Sequence, residues 1–279
     1  MEVQVFTDST CDIPRGLAKE LGIRIVPIHI RFGDKTYQDN VDISAEEFYR
    51  LLEESSHHPA TAQPNPEDFL AAFSERCEGS MGIVCINISS RISGTYDSAV
   101  AAMKKLENRC PVTVIDSGLN SAGLGLVVMA AARLARSGAS FQEVVAEAER
   151  ATREVKMFGM FETMKYLALG GRINKALAAA SHFLHVMPLL TFREGRIEKA
   201  GLVRTVGKGV EQIERFVRSQ LPVSEVLISH SRVPERARQL KESLSRLVEP
   251  ELISVAELGP GLGVHGGPGV LLVAVRTTR

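Results

Sequence analysis

The chain carries no surplus charge of either sign: 33 Lys and Arg face 33 Asp and Glu, a formal net charge of zero over 279 residues. A polyanion or an anionic membrane surface therefore meets no general attractive field, and no basic run is interleaved with aromatics, which make up 5% of the residues. Long apolar runs are missing too. The longest candidate span, Gly123 to Ala135, is too short and glycine-rich for a membrane helix. The opening MEVQVFTDST has neither the basic region nor the apolar stretch of a signal peptide. Cysteine is scarce, and Cys11, Cys77, Cys85 and Cys110 match neither a zinc knuckle nor a CxxC pair. The expectation is reduced cytosolic thiols, with Cys85 packed as a small hydrophobe. The histidines contain no HExxH, and His57-His58 before Pro59 are expected to be solvated, so no metal site follows. Low-complexity linkers and internal repeats are absent as well.

What is present is an ordinary globular balance, 44% hydrophobic and 24% charged, with enough chain for about two domains at roughly 100–200 residues each. Short apolar strands alternate with amphipathic helices over the first 120 or so residues, the rhythm of βαβ units. Val3 to Thr7 reads as a strand, and Ile23 to Phe32 as a half-exposed strand near an edge, with Pro27 at its change of phase. Met81 to Ile88 and Val112 to Ile115 are nearly continuous apolar runs, suited to central parallel strands. Ser44 with Glu47, Asn65 with Pro66, and Ser140 with Glu143 announce helices. Near residue 155 the rhythm changes. Met157 to Phe161, a hairpin of Pro188 to Arg193 and Arg196 to Val203, and three later strands imply a mixed second sheet. The division is set at 1–155, a parallel α/β domain, and 156–279, a second α/β domain.

Three strands of the first part end in polar signatures: Thr7-Asp8-Ser9-Thr10, Ser89-Ser90 and Asp116-Ser117. In an open parallel sheet these ends share the edge at which ligands bind, although Asp116 and Ser117 equally suit caps of the following helix. Ser93 falls at a helix start, where its hydroxyl and the NH groups of Gly94 and Thr95 can converge on an anion, Gly94 permitting close approach. A plain capping serine would leave the same pattern. Gly261 to Gly266 matches GxGxxG, but a strand is expected after it, so it is read as a tight loop presenting His265. Arg172, behind Gly170-Gly171, suits either helix-end carbonyls or an anion. Gly201 to Lys208 lacks P-loop spacing, which leaves ATP binding unsupported.

Thr7-Asp8-Ser9-Thr10, Thr61-Ala62-Gln63-Pro64, Ser89 to Tyr96, Ile115-Asp116-Ser117, Gly170 to Ile173 and Gly267-Pro268-Gly269 together resemble the DegV family, in order and over the whole chain. The resemblance implies a two-domain α/β fold with a parallel-sheet N-terminal domain and a mixed-sheet C-terminal domain. It also implies a bacterial cytoplasmic protein that binds a long-chain fatty acid and presents the carboxylate to a separate fatty acid kinase for phosphorylation to acyl phosphate. By position, Thr61 and Ser93 resemble the family's carboxylate-binding hydroxyls and His265 its nearby histidine. Arg172 and Arg204 resemble arginines that support kinase-dependent phosphorylation. Two positions depart from the pattern: Ala62 replaces a second hydroxyl, and Met187, in His185-Val186-Met187-Pro188, replaces a lysine. No catalytic residue, metal or cofactor is implied beyond the fatty acid ligand. The rival reading is a serine esterase or thioesterase using Ser93 and His265, with Asp116 completing the residue types.

Overall fold

The computed structural model describes residues 2–55, 57–106, 109–173 and 186–278. Its first sheet is parallel, in the order β2-β1-β6-β7, built from β1 (Val3–Asp8), β2 (Arg24–Val26), β6 (Gly82–Asn87) and β7 (Val112–Asp116). Every residue of β6 is buried, as a strand covered on both faces requires. The expectation of a second central strand at Val112 to Ile115 is corrected. β7 is an edge strand whose residues are mostly half-buried, because an apolar run records burial by helices and says nothing of lateral position. At Pro27 the chain leaves this sheet. β3 (His29–Phe32) joins β4 (Lys35–Gln38) and β5 (Ala60–Ala62) in a small antiparallel sheet, so the single strand expected over Ile23 to Phe32 is two strands in two sheets.

Helices follow the capping signals. Ser44 caps α2 (Ala45–Glu54), Asn65 and Asp68 form a capping box on α3 (Pro66–Cys77), and Ser140 and Glu143 do so on α6 (Phe141–Glu154). α4 (Thr95–Lys105) follows β6. α5 (Ser121–Arg136) is buried along nearly its whole length and touches both larger sheets. The second of these is mixed, in the order β10-β9-β8-β13-β11-β12. It comprises β8 (Val155–Met160), the hairpin β9 (Met187–Arg193) and β10 (Arg196–Val203), β11 (Val223–His230), β12 (Ile253–Glu257) and β13 (Leu271–Thr277). Short helix α1 (Arg15–Glu20) precedes β2, α7 (Lys165–Leu169) follows β8, and α8 (Val206–Gln220) and α9 (Pro234–Leu244) cover the mixed sheet.

Two expectations are overturned here. The glycine-rich stretch is a short helix, α10 (Pro260–Gly266), because Pro260 sits at its first position and Gly267, at φ 68°, stops it. Cys77 and Cys110 are joined in a disulfide, with Cα atoms 5.5 Å apart. Their separation of 33 residues matches no motif, and the two meet at the apolar cluster that α3 forms with β6 and α4. Cys11 and Cys85 are buried thiols, raised by that burial. The largest apolar cluster runs without a break from Val3 and Val84 through α5 to Leu227, Leu272 and Ala274, so both larger sheets share it.

Candidate functional site

A cleft opens where the carboxyl edge of the parallel sheet, the small sheet, α10 and the β8–β9–β10 face meet. About 940 Å³ of space free of protein atoms lies in it, the open solvent at its mouth included. Most of the wall is apolar: Ile28, Ile88 and Ile92 on one side, Met157, Phe158, Phe161, Leu190, Phe192, Ile197 and Leu272 on the other. Of the site residues expected above, Thr61, Ser93, Arg172 and His265 gather in it, and Gly94 and Arg204 are not in its wall.

Thr61 comes from β5, opposite Ile30 of β3. Its Oγ1 lies 2.9 Å from His265 Nε2, a pair separated by 204 residues of sequence. His265 occupies the last turn of α10. Burial, then the neighbouring Arg172 and His58, lower its imidazole from 6.5 to about 3, so the ring is neutral at ordinary pH. Its Nδ1 is buried without a hydrogen-bond partner among the described residues. The backbone of Gly170 closes over that side of the ring, where any Cβ would collide with the imidazole. His58, expected in solvent, instead tilts against the Tyr166 ring at 6.0 Å with its Nε2 buried, and its imidazole is lowered by that burial and by Lys165. A Pro-flanked polar loop gives no sign of the aromatic neighbour that draws it in.

Ser93 stands one residue ahead of Gly94, the N-cap of α4. Its Oγ lies 2.8 Å from Thr95 Oγ1 and accepts weakly from Thr95 N at 3.4 Å, so part of its capacity remains for a ligand in the cleft. Gly94 itself is packed under Gln63, whose Nε2 would be 2.6 Å from a Cβ there. Gln63 and the exposed Ala62 also line the cleft, the latter offering no hydroxyl.

Arg172 does both things its sequence position allowed. Nη1 donates to Gly170 O at 2.5 Å, beyond the end of α7, and the side chain lines the cleft. It is half-buried, its guanidinium is lowered by burial alone, and among the described residues no carboxylate pairs with it. Arg204 does not join the cleft; it is exposed between β10 and α8. His185 of the motif around Met187 lies outside the described residues.

The acids at the strand ends brace loops and do not face the cleft. Asp8 takes Thr10 N at 3.1 Å and Ile88 N at 2.8 Å, tying β1 to β6. Asp116 takes Ser90 N at 3.1 Å and Gly118 N at 2.9 Å, whereas the N-cap of α5 is Asn120. The reading of Asp116 and Ser117 as caps is thus corrected: they lie four and three residues ahead of that N-cap, where Asp116 staples neighbouring strand exits together and the Ser117 hydroxyl bonds to Leu119 within its own loop. Ser93, His265 and Asp116 are partnered with Thr95, Thr61 and Ser90, so no Ser–His–Asp relay is assembled.

The fold is thus α/β, with an apolar cleft between a parallel and a mixed sheet, and at one place in the cleft wall stand hydroxyls, a neutral imidazole and a guanidinium with no carboxylate partner among the described residues. The family model described as "Uncharacterised protein, DegV family" matches residues 2–278, and the chain belongs to that family. A DegV domain-containing protein of Streptomyces coelicolor is 34% identical over 279 residues, covering 98% of each chain. Among solved structures, the DegV family protein from Thermus thermophilus, described for its fatty acid binding, superposes with a TM-score of 0.91 at 31% identity, covering 99% of this chain and 100% of that one. DegV from Bacillus subtilis, described as a fatty acid binding protein, gives 0.88 at 26% identity and full coverage of both.

Proposed function

We propose that this chain binds one long-chain fatty acid, holds its carboxylate at Thr61, Ser93, Arg172 and His265, and presents it in the cytoplasm to a separate kinase that forms the acyl phosphate. The observation that carries the reading is Arg172: a half-buried guanidinium with no acidic partner among the described residues, at the wall of an apolar cleft. An unpaired buried cation is costly, and a ligand that brings one negative charge and a long apolar tail answers both features. The fatty acid binding described for the Thermus and Bacillus relatives supports the same ligand.

Tail burial supplies the gross affinity, about 0.8 kcal/mol per CH₂, and the polar groups orient the head. Thr61 and Ser93 offer hydroxyl donors, and neutral His265 fixes the Thr61 rotor. Phosphoryl transfer needs one carboxylate oxygen to attack the terminal phosphorus of a nucleoside triphosphate held by the kinase, with the bond to the bridging oxygen breaking and the nucleoside diphosphate leaving, and the Arg172 cation offsets part of the negative charge gathered there. Arg204, exposed beyond β10, is assigned to the kinase-facing surface.

Native mass spectrometry after mild purification is expected to show one retained fatty acid per chain. Titrations are expected to weaken stepwise from palmitate towards butyrate, and Ser93→Ala or Thr61→Val to cost roughly 1.5–3 kcal/mol each, the worth of a hydrogen bond to a charged acceptor. Butyrate binding as tightly as palmitate would remove the acyl cleft from the mechanism. Time-dependent ester hydrolysis that disappears in Ser93→Ala would replace the carrier with the esterase.

A further inference from the structure

Asp12 and Asp39 have no place in the wall of the cleft, yet both are fastened to the helix that brings His265 to it. Asp12 Oδ1 accepts from Gly259 N, the N-cap residue of α10, at 2.8 Å, and its Oδ2 accepts from Ser121 Oγ at 2.6 Å. Asp39 accepts from the backbone N–H of Gly261 and, on Oδ2, from Ser9 Oγ at 2.7 Å; Asn40 Nδ2 donates to its Oδ1 at 3.2 Å. Two carboxylates from the start of the chain thus hold the N–H groups at the first turn of a helix more than 200 residues away. The seat is close: a Cβ on Gly261 would collide with Ile28 Cδ1 and stand 2.7 Å from Asp39 Oδ2. At the other end of the same seven-residue helix His265 meets Thr61, and Gly261, Leu262 and Gly266 form part of the cleft wall.

We propose that Asp12 and Asp39 are positioning residues that clamp α10, and with it His265, onto the head-group site, and that proton occupancy of this pair sets how tightly the fatty acid is held. The proposal rests on the fatty-acid reading above.

Both acids are buried, 6% and 1% exposed, with fully buried Asp8 close enough to repel them. Burial, the largest cause in each case, pushes Asp12 from 3.8 up to about 8 and Asp39 up to about 7. The groups that face the pair are Asp8, Cys11 and Tyr49, with Glu257 facing Tyr49 in turn; Arg15, hydrogen-bonded to Asn40 at 2.8 Å, is the cation that acts on Asp39. The sign follows. The folding stability that the pair lends is full below the ordinary carboxylate value of 3.8 and falls as pH rises from there to 7 and 8, whereas the clamp within the folded chain weakens only through 7 and 8, where each acid must ionise out of reach of water. The helix that the pair clamps is the one that carries His265 to Thr61, so a looser clamp loosens the seat of the bound carboxylate, and by linkage binding draws protons onto the pair and tightens as pH falls.

The test is calorimetric titration of the full-length chain with palmitate between pH 6 and 9, in two buffers of different ionisation heat. The parent is expected to take up protons on binding and to lose affinity as pH rises, by up to about tenfold per pH unit for each proton taken up. Asp39→Asn keeps an acceptor for Gly261 N–H, and is expected to bind at pH 6 like the parent and to flatten the profile; Asp39→Ala removes the acceptor and is expected to bind weakly at every pH. Asp12→Asn and Asp12→Ala repeat the test at the other carboxylate, and either position suffices should the other fail to fold. A flat parent profile, an unchanged slope in the Asn variants, or Ala variants equal to Asn overturns the clamp while leaving the lipid site standing. A parent that binds no palmitate at any pH overturns the lipid reading and the coupling together.

Discussion

A single guanidinium decides how the cleft is to be read. Arg172 could have spent its charge on helix-end carbonyls, and it does reach Gly170 O, but that bond leaves the remaining donors of a planar, always-charged group in the cleft wall. The nearby imidazole does not compete for an anion, since burial holds it neutral. Arg172→Gln is therefore expected to weaken palmitate binding by about ten- to a hundredfold, corresponding to roughly 1.5–3 kcal/mol for hydrogen bonds to a charged group. Arg204→Gln, on the exposed segment, is expected to leave palmitate affinity unchanged and to lower only acyl phosphate formation with purified kinase. Parallel titration and phosphorylation assays on the two variants check this; equal palmitate affinity of Arg172→Gln and the parent would return Arg172 to helix capping. At this scale the sequence displayed the polar residue types well. It displayed their partners poorly, because Asp8 and Asp116 end strands just as ligand-binding acids do and only the adjacency of strand exits turns them into braces.

Among the elements, α10 concentrates the long-range contacts. Its first turn is held by Asp12 and Asp39, Gly263 packs 2.6 Å from Phe48 Cε1 as measured from an ideal Cβ, and its last turn meets α7 at Gly170. Gly170 has an ordinary helical φ of −75°, so the need for glycine there is steric, not conformational. Gly170→Ala is expected to push the His265 ring from Thr61, destabilise the chain by about 1–3 kcal/mol as overpacking does, and weaken fatty acid binding. The double variant Gly170→Ala with His265→Ala is expected to recover much of the lost stability, since the methyl then fills the space of the ring. Thermal melts of the four chains of this cycle measure the coupling, and additive losses would show that the two residues do not meet. The capping motifs, the parallel strands and the β9–β10 hairpin were all visible as periodicity and turn chemistry. The helix within Gly259 to Gly269 was not, because six glycines in eleven positions disfavour helix locally and the tertiary hold of two carboxylates outweighs that preference. The small antiparallel sheet was missed for a related reason: β5 spans only Ala60–Ala62, too short for any alternation to register.

Across the whole molecule, a parallel sheet gives way to a mixed one whose first strand in the chain is β8, yet periodicity is blind to what lies between sheets. Two structures join them. One is the apolar cluster that α5 carries from Val84 and Ile86 to Leu227 and Ala274. The other is a set of ion pairs on its flank: Arg133 of α5 donates through Nη1 and Nη2 to the two oxygens of Glu225 in β11, each at 2.6 Å, and Arg276 of β13 reaches Glu147 at 2.7 Å and Glu154 at 2.8 Å on α6. Spacing cannot reveal pairs whose members lie 92 or 122 residues apart. A core shared in this way couples the two sheets, so urea unfolding followed by far-UV circular dichroism and by release of bound fatty acid is expected to give one coincident transition. Glu225→Gln should shift both probes together. Glu225 is buried, but Arg133 is about half-exposed, 45% at its side chain, and water recovers part of what the guanidinium loses. The expected cost is accordingly about 1–3 kcal/mol, below the roughly 3–5 kcal/mol of breaking a fully buried pair. Two separated transitions, with Glu225→Gln moving only one, would mean that the sheets fold as independent units and that the continuity of the core contributes no cooperativity.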